Sequence, residues 1–247
     1  MISPWRNGPL LGFDLETTGV DRFNDVPVSS AFVRFDGGEV TKVDSTIVNP
    51  GRPIPHGAID VHGITDEQAA EGEALDVAIA GIVEVLLAAS RDLVPVVGSN
   101  LAYDLTMVDV TAKREIGMGL VEAGFTGPVI DVLVIDKTYA KWRKGKRTLD
   151  LLCEHNGVVL DGAHDASVDA IAAVQVAIAQ PATYRAAKDK WSKKDLPDLD
   201  KVSPQTLHDL QIVWHHDWAV DFSGWRVGKG MEALAPDELL WPVATRV

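Results

Sequence analysis

Cysteine is nearly absent: Cys153 stands alone among 247 residues, so neither an internal disulfide nor a cysteine-built zinc site can form. A reducing, cytoplasmic setting is the natural expectation. No run of 18 apolar residues occurs, so no membrane span is expected. The opening Met-Ile-Ser-Pro-Trp-Arg-Asn-Gly lacks the basic-then-apolar pattern of a secretory signal. Gly145-Lys146 has no upstream glycine at phosphate-loop spacing, and no Gly-x-Ser-x-Gly elbow exists. Phosphate-loop enzymes and serine hydrolases are therefore disfavoured. Positive charge is also short, with 23 Lys and Arg against 36 Asp and Glu, a net charge of −13. Proteins that coat nucleic acid draw affinity from counterion release and are usually basic. The deficit argues against such a coat. It does not argue against an enzyme that grips one strand end through bound cations, which invert the local charge.

What is present fits one sizeable core with an appended piece. Leu10 to Leu15 is nearly all apolar, with Asp14 and Glu16 at its end. Val28 to Phe35 and Val40 to Val48 follow, split by the turn Asp36-Gly37-Gly38, which predicts a three-stranded meander. Helical spacing marks Ala74 to Ala89. A short strand from Leu93 to Gly98 leads into a helix from Leu101 to Ile116. Val129 to Asp131 is a brief strand leading into a helix through Tyr139, and Thr148 to Asn156 is a helix stopped by Gly157. A helix from Asp165 to Ala179 is expected to end at Gln180-Pro181. Strands first, then strands alternating with helices, predict an α/β layer with a mixed sheet. Residues 1–180 are expected to form the main domain. Residues 181–247 form a helical extension, which Ser203-Pro204 opens as N-cap and first helical position, and which holds most of the tryptophans.

Asp14 and Glu16 are two apart on a strand, so both carboxylates face the same way. Like charges on an apolar strand need neutralising, and a divalent cation would do it; a solvated strand end beside Thr17-Thr18-Gly19 is the plainer alternative. Asp104 sits in the first turn of a helix, where an acid is also favoured by the helix dipole alone. His164 and Asp169 recur in spacing at His216 and Asp221. The downstream pair lies within one continuous helical pattern, where five residues turn the chain about 500° and part the side chains. It is the decoy, whereas His164 follows the loop Asp161-Gly162-Ala163 and can lie off its helix. Asp14, Glu16, Asp104 and Asp169 thus place four acids on three segments. Oxygen donors without cysteine suit Mg²⁺ or Mn²⁺ over Zn²⁺. Two such ions can clamp the attacking and leaving oxygens of a phosphodiester, with a near-neutral histidine as base.

The strings Phe13-Asp14-Leu15-Glu16-Thr17-Thr18-Gly19 and Asn100-Leu101-Ala102-Tyr103-Asp104, and His164 with four residues between it and Asp169, resemble the three motifs of the DnaQ-like (DEDDh) exonuclease superfamily. Val61-His62-Gly63-Ile64-Thr65 resembles a segment that the family carries between its first two motifs. The resemblance implies a ribonuclease H-like α/β fold. It implies a 3′→5′ exonuclease of proofreading or repair type that uses two divalent ions, Mg²⁺ or Mn²⁺, on a single-stranded DNA 3′ end, RNA being the alternative. Asp14 would bridge both ions, Glu16 and Asp169 would hold the one nearer the nucleophile, and Asp104 would support the other. His164 would be the general base. Thr17, Thr18 and Gly19 would line the terminal nucleotide, with Val61 and His62 across from it and Asn100 near the 3′ end.

Six basic residues, Lys137, Lys141, Arg143, Lys144, Lys146 and Arg147, fall within eleven positions. A solvated loop is the ordinary explanation. In so acidic a chain, a phosphate-holding patch centred on Lys144 and Arg147 is favoured. In the tail, Trp214, Trp218, Phe222 and Trp225 share one helical face, which predicts a packing or docking surface and suggests a DNA polymerase as partner. A rival of another class is a non-catalytic polymerase-interaction subunit, against which the intact five-residue set argues.

Overall fold

A computed structural model describes residues 4–160, 165–186 and 196–244. The meander forms as the apolar alternation predicts: β1 (Leu10–Thr17), β2 (Pro27–Asp36) and β3 (Glu39–Asn49) pair antiparallel. Gly37 and Gly38 join β2 to β3 with φ of 61° and 88°, the doubly left-handed backbone that a two-residue hairpin needs and that glycine adopts freely. β4 (Glu73–Ala74) adds parallel to β3 on one side. On the other, β5 (Val96–Gly98) and β6 (Val129–Asp131) run parallel to β1, giving the order β4-β3-β2-β1-β5-β6.

Alternation along β1 assigns its two faces. Leu11, Phe13 and Leu15 enter one core with α3 (Leu75–Arg91) and α4 (Leu101–Ile116), through Ile79, Ile82, Leu86 and Leu105. Leu10 enters the opposite core, built on α5 (Val132–Tyr139), α6 (Leu149–Asn156) and α7 (Ala166–Ala186). Gly12, Asp14 and Glu16 share the Leu10 face. A Cβ on Gly12 would lie 3.0 Å from both the Ala170 carbonyl oxygen and Val174 Cγ2. The missing side chain therefore lets α7 settle closely on β1.

Two short helices were not read from the sequence. α1 (His56–His62) ends at Gly63, φ 74°, and α2 (Asp66–Ala70) starts with a capping box between Thr65 and Gln68. The expected stop at Gln180-Pro181 is corrected, because α7 runs on to Ala186. Proline removes one helical hydrogen bond, but tertiary contacts hold the last turn. The Tyr184 hydroxyl donates to Asp136 at 2.7 Å, its ring stacks on Tyr139 at 5.4 Å, and the Gln180 amide donates to the Val132 carbonyl.

The residues beyond 195 pack against both cores. α8 (Pro204–Gly228) begins at the Ser203 cap with proline in its first turn, as expected. Its Gln211 side chain accepts from Asp131 N–H at 2.8 Å and donates to the Val129 carbonyl at 2.9 Å, closing the free edge of β6. Leu199 and Leu207 enter the α7-side core, and Trp241 enters the α4-side core. Among the described residues no helix is long and apolar enough to cross a membrane.

Candidate active site

β1 and β5 run parallel, so their carboxyl ends open on the same edge of the sheet, where open α/β sheets place their ligands. Asp14 and Glu16 reach that edge from β1, and α7 brings Asp169 to the same face. One oxygen from each of these three carboxylates lies within 4.8 Å of the others. Asp104 arrives from the opposite layer. Gly98 ends β5 where a Cβ would collide with the Phe13 carbonyl at 2.8 Å, so the chain turns tightly into α4 beside β1. Asp104 is buried in the first turn of α4 and raises the pKa of Asp14.

The electrostatics are those of buried carboxylates crowded against one another. Burial, then Asp104, Asp169 and Glu16, push the Asp14 carboxyl well above the ordinary range. Burial, then Asp169 and Asp165, push Glu16 up to about 7. Burial foremost, with the Asp131 and Glu16 charges adding to it, raises Asp104 to about 8. Groups so disposed hold protons unless a cation replaces them. An all-oxygen set of this kind fits hard divalent ions, so the residues suit the metals that the motifs imply.

Backbone supports fix these acids. Asp131, at the end of β6, accepts from the N–H groups of Asn100, Leu101 and Leu133 and from the Trp241 indole, and so pins the start of α4. Asn100 takes the left-handed backbone, φ 65°, needed for that turn. Asp131 was not singled out from the sequence. Its position as the last residue of a short buried strand, like the acids ending β1, is the signal that could have found it.

The loop after β1 is similarly tied. The Thr18 hydroxyl donates to Asp25 and accepts from Val26 N–H, and the Asp25 carboxylate also holds Asp21 N–H. Thr18 is buried with its hydroxyl turned into the loop. The Thr17 hydroxyl and the Tyr103 hydroxyl both donate to the Gly19 carbonyl, and lie 3.0 Å from each other. Tyr103 thus clamps the Thr17-Thr18-Gly19 turn from α4, a role that the sequence did not reveal although the residue adjoins Asp104. His62 ends α1, with Nδ1 accepting from Ile64 N–H at 3.0 Å and its ring beside the Thr17 backbone. Burial lowers its pKa, against the opposing pull of the Thr17 backbone. Val61 stands 52% exposed on the same helix.

Other expected residues fall elsewhere. His164 lies outside the described residues. α7 begins at Ala166, and the Asp165 carboxylate just ahead of it caps the Ser167 and Val168 N–H groups. His216 and Asp221 sit within α8, and Asp221 pairs with Lys141 at 2.6 Å, in keeping with a decoy. The basic segment is largely turned inward. Arg143 and Arg147 both bind the buried Asp136, at 2.9 and 2.6 Å, and Arg147 also donates to the carbonyls of Ala140, Lys141 and Arg143. The Arg147 donors therefore organise the loop, where a substrate contact was expected. Lys144 and Lys146 are exposed and form no ion pair among the described residues.

Comparison with known proteins agrees with this geometry. The family model described as Exonuclease matches residues 11–177, from the start of β1 into α7. A DNA polymerase III of PolC type from Listeria monocytogenes is 27% identical over 165 residues, covering 67% of this chain and 11% of the polymerase. The PolC-type polymerase of Lacticaseibacillus paracasei is 29% identical over 158 residues, covering 64% and 10%. The chain thus spans about a tenth of these relatives. Among solved structures, Escherichia coli exonuclease I in complex with a dT13 oligonucleotide superposes with a TM-score of 0.59 at 22% identity, over 73% of this chain and 43% of that one. Exonuclease I of Methylocaldum szegediense gives 0.57 at 22% identity, over 74% and 43%. The ribonuclease H-like fold, the acids gathered at the carboxyl edge of its sheet and the match across residues 11–177 together place the chain in the Exonuclease family.

Proposed function

We propose that the protein is a 3′→5′ exonuclease of the DEDDh type, removing nucleoside monophosphates from single-stranded DNA 3′ ends. The observation that carries this reading is the meeting of Asp14, Glu16 and Asp169 within 4.8 Å, with buried Asp104 charge-coupled to Asp14. These four residues would hold two divalent cations, Mg²⁺ or Mn²⁺, which when bound polarise the scissile phosphate and offset charge on the attacking and leaving oxygens. His164 takes the proton of the attacking water, whose oxygen bonds to the terminal phosphorus as the 3′-oxygen of the next nucleotide leaves. The Thr17-Thr18-Gly19 turn, held by Tyr103, lines the terminal nucleotide, opposite the half-buried His62 and the exposed Val61. Asn100 faces the 3′ end, and Lys144 adds a positive charge to the strand's approach.

DNA is favoured as substrate because the curated relatives are DNA polymerases and a solved neighbour carries a DNA oligonucleotide. On the same ground we place the chain beside a DNA polymerase. Residues 1–180 are the catalytic unit in this proposal, and 181–247 are its extension. The test is a matched pair of single-stranded DNA and RNA oligomers digested with Mg²⁺ or Mn²⁺. The expected result is nucleotide release from the 3′ ends of both oligomers, with kcat/KM higher on DNA. A tenfold preference for RNA would move the assignment to RNA ends, and no release from either would overturn it.

A further inference from the structure

Beside the acid cluster lies a second cleft of about 570 Å³. Asn100 and Tyr103 form the wall nearest the acids, the loop of residues 20–23 forms another, and α8 closes it with Trp218 and Phe222. The same Tyr103 holds the turn proposed to meet the terminal nucleotide, and Asn100 is proposed to face the 3′ end, so the cleft and that site share these two residues.

The α8 wall continues beyond the cleft as a row of parallel rings. Trp218 stacks on Phe222 at 5.3 Å and 13°, and Phe222 stacks on Trp225 at 5.6 Å and 12°. Trp214, one turn earlier, instead meets Tyr139 edge-on and packs against the cores. The row leads away from the core, and Trp225 at its outer end is 53% exposed. At its inner end the Lys137 ammonium lies 3.3 Å from the Trp218 ring centroid. Lys137 forms no ion pair among the described residues, whereas the nearby acids have partners of their own. Asp237 pairs with Arg22, Asp21 accepts from Phe23 N–H, and Glu238 accepts from Ala235 N–H.

We infer that this cleft is a second subsite for single-stranded nucleic acid, in which the aromatic row carries the bases upstream of the 3′-terminal nucleotide and Lys137 meets a backbone phosphate. The inference rests on the assignment of the acid cluster to the 3′ end. Aromatic surfaces accept any base, each stacked base contributing about 1–3 kcal/mol, and a cation beside them fixes the phosphate without reading sequence. A protein docking on the row is the competing occupant. It would not share a wall with the nucleotide site or need an unpaired cation at the inner end.

The test is anisotropy of 5′-fluorescein-labelled (dT)12 and (dT)3 titrated with the full chain in EDTA, alongside digestion rates with Mg²⁺. Phe222→Ala and Trp218→Ala are expected to weaken (dT)12 binding roughly 5- to 100-fold and to leave (dT)3 within twofold. Phe222→Leu keeps apolar bulk, so it serves if an alanine variant fails to fold; it is expected to show the same length-dependent loss. Unchanged (dT)12 binding, or equal losses at both lengths, would overturn the subsite. Wild-type protein that prefers (dT)12 but digests neither oligomer would remove the exonuclease reading alone. Wild-type protein that digests both but binds them equally would remove the subsite alone.

Discussion

Replacing Glu16 with glutamine is expected to stabilise the metal-free protein while destroying its response to metal. Glu16 is held at about 7 against an ordinary 4.5 by burial and by the Asp169 and Asp165 charges. A shift of that size corresponds to roughly 3 kcal/mol against the ionised form. Partial exposure of the side chain screens this to about 1–2 kcal/mol. Because the folded pKa is raised, the penalty is absent below pH 4.5, grows as pH climbs through 7, and is constant above. Thermal unfolding in EDTA should therefore place Glu16→Gln roughly 2–8 °C above wild type at pH 8, with the gap closing towards pH 4.5. Mn²⁺ should raise the wild-type midpoint, since a ligand of the folded state stabilises it by mass action, and should move the variant much less. A variant less stable than wild type in EDTA at pH 8, or a gap indifferent to pH, would refute the electrostatic reasoning.

His164→Ala is expected to lower kcat about 10²- to 10⁴-fold, with Mn²⁺ affinity unchanged by calorimetry; full activity would remove it as the base. Gly12→Val forces α7 off β1, because even a Cβ meets the Ala170 carbonyl oxygen at 3.0 Å. It should cost about 1–3 kcal/mol in denaturant unfolding and weaken Mn²⁺ binding, since Asp169 moves with Ala170. Gln211→Ala leaves Asp131 N–H and the Val129 carbonyl without their partner, costing about 1–3 kcal/mol, and a chain ending at Pro181 should not yield a soluble enzyme. A soluble, active fragment of residues 1–181 would contradict that account.

Local pattern carried most of the architecture. The β1–β3 meander, α4 from Leu101 to Ile116 and β6 from Val129 to Asp131 follow from alternation, periodicity and glycine punctuation. The Thr65–Gln68 capping box was also there to be read and would have located α2. What stayed hidden depends on distant partners. Pro181 looks like a terminator until Tyr184 is seen bonded to Asp136, 48 residues away. The same Asp136, ordinary in the sequence, draws in Arg143 and Arg147 and so removes both arginines from the basic patch. Tyr103 and Asp131 support the acids through backbone atoms of other segments, and that kind of contact leaves no spacing in the sequence. Asp14 and Glu16 were legible because their alternation on β1 is a property of the strand alone, whereas Asp104 and Asp169, on α4 and α7, were marked only by the resemblance of their motifs.

The most direct test of the central claim is a time course on 5′-labelled single-stranded DNA with wild type and Asp14→Asn, each in Mn²⁺ and in EDTA. The account predicts a ladder that shortens from the 3′ end only for wild type with Mn²⁺, the 5′ label surviving to the smallest products. A ladder that persists in EDTA or in Asp14→Asn, or early release of the 5′-terminal nucleotide, would contradict it.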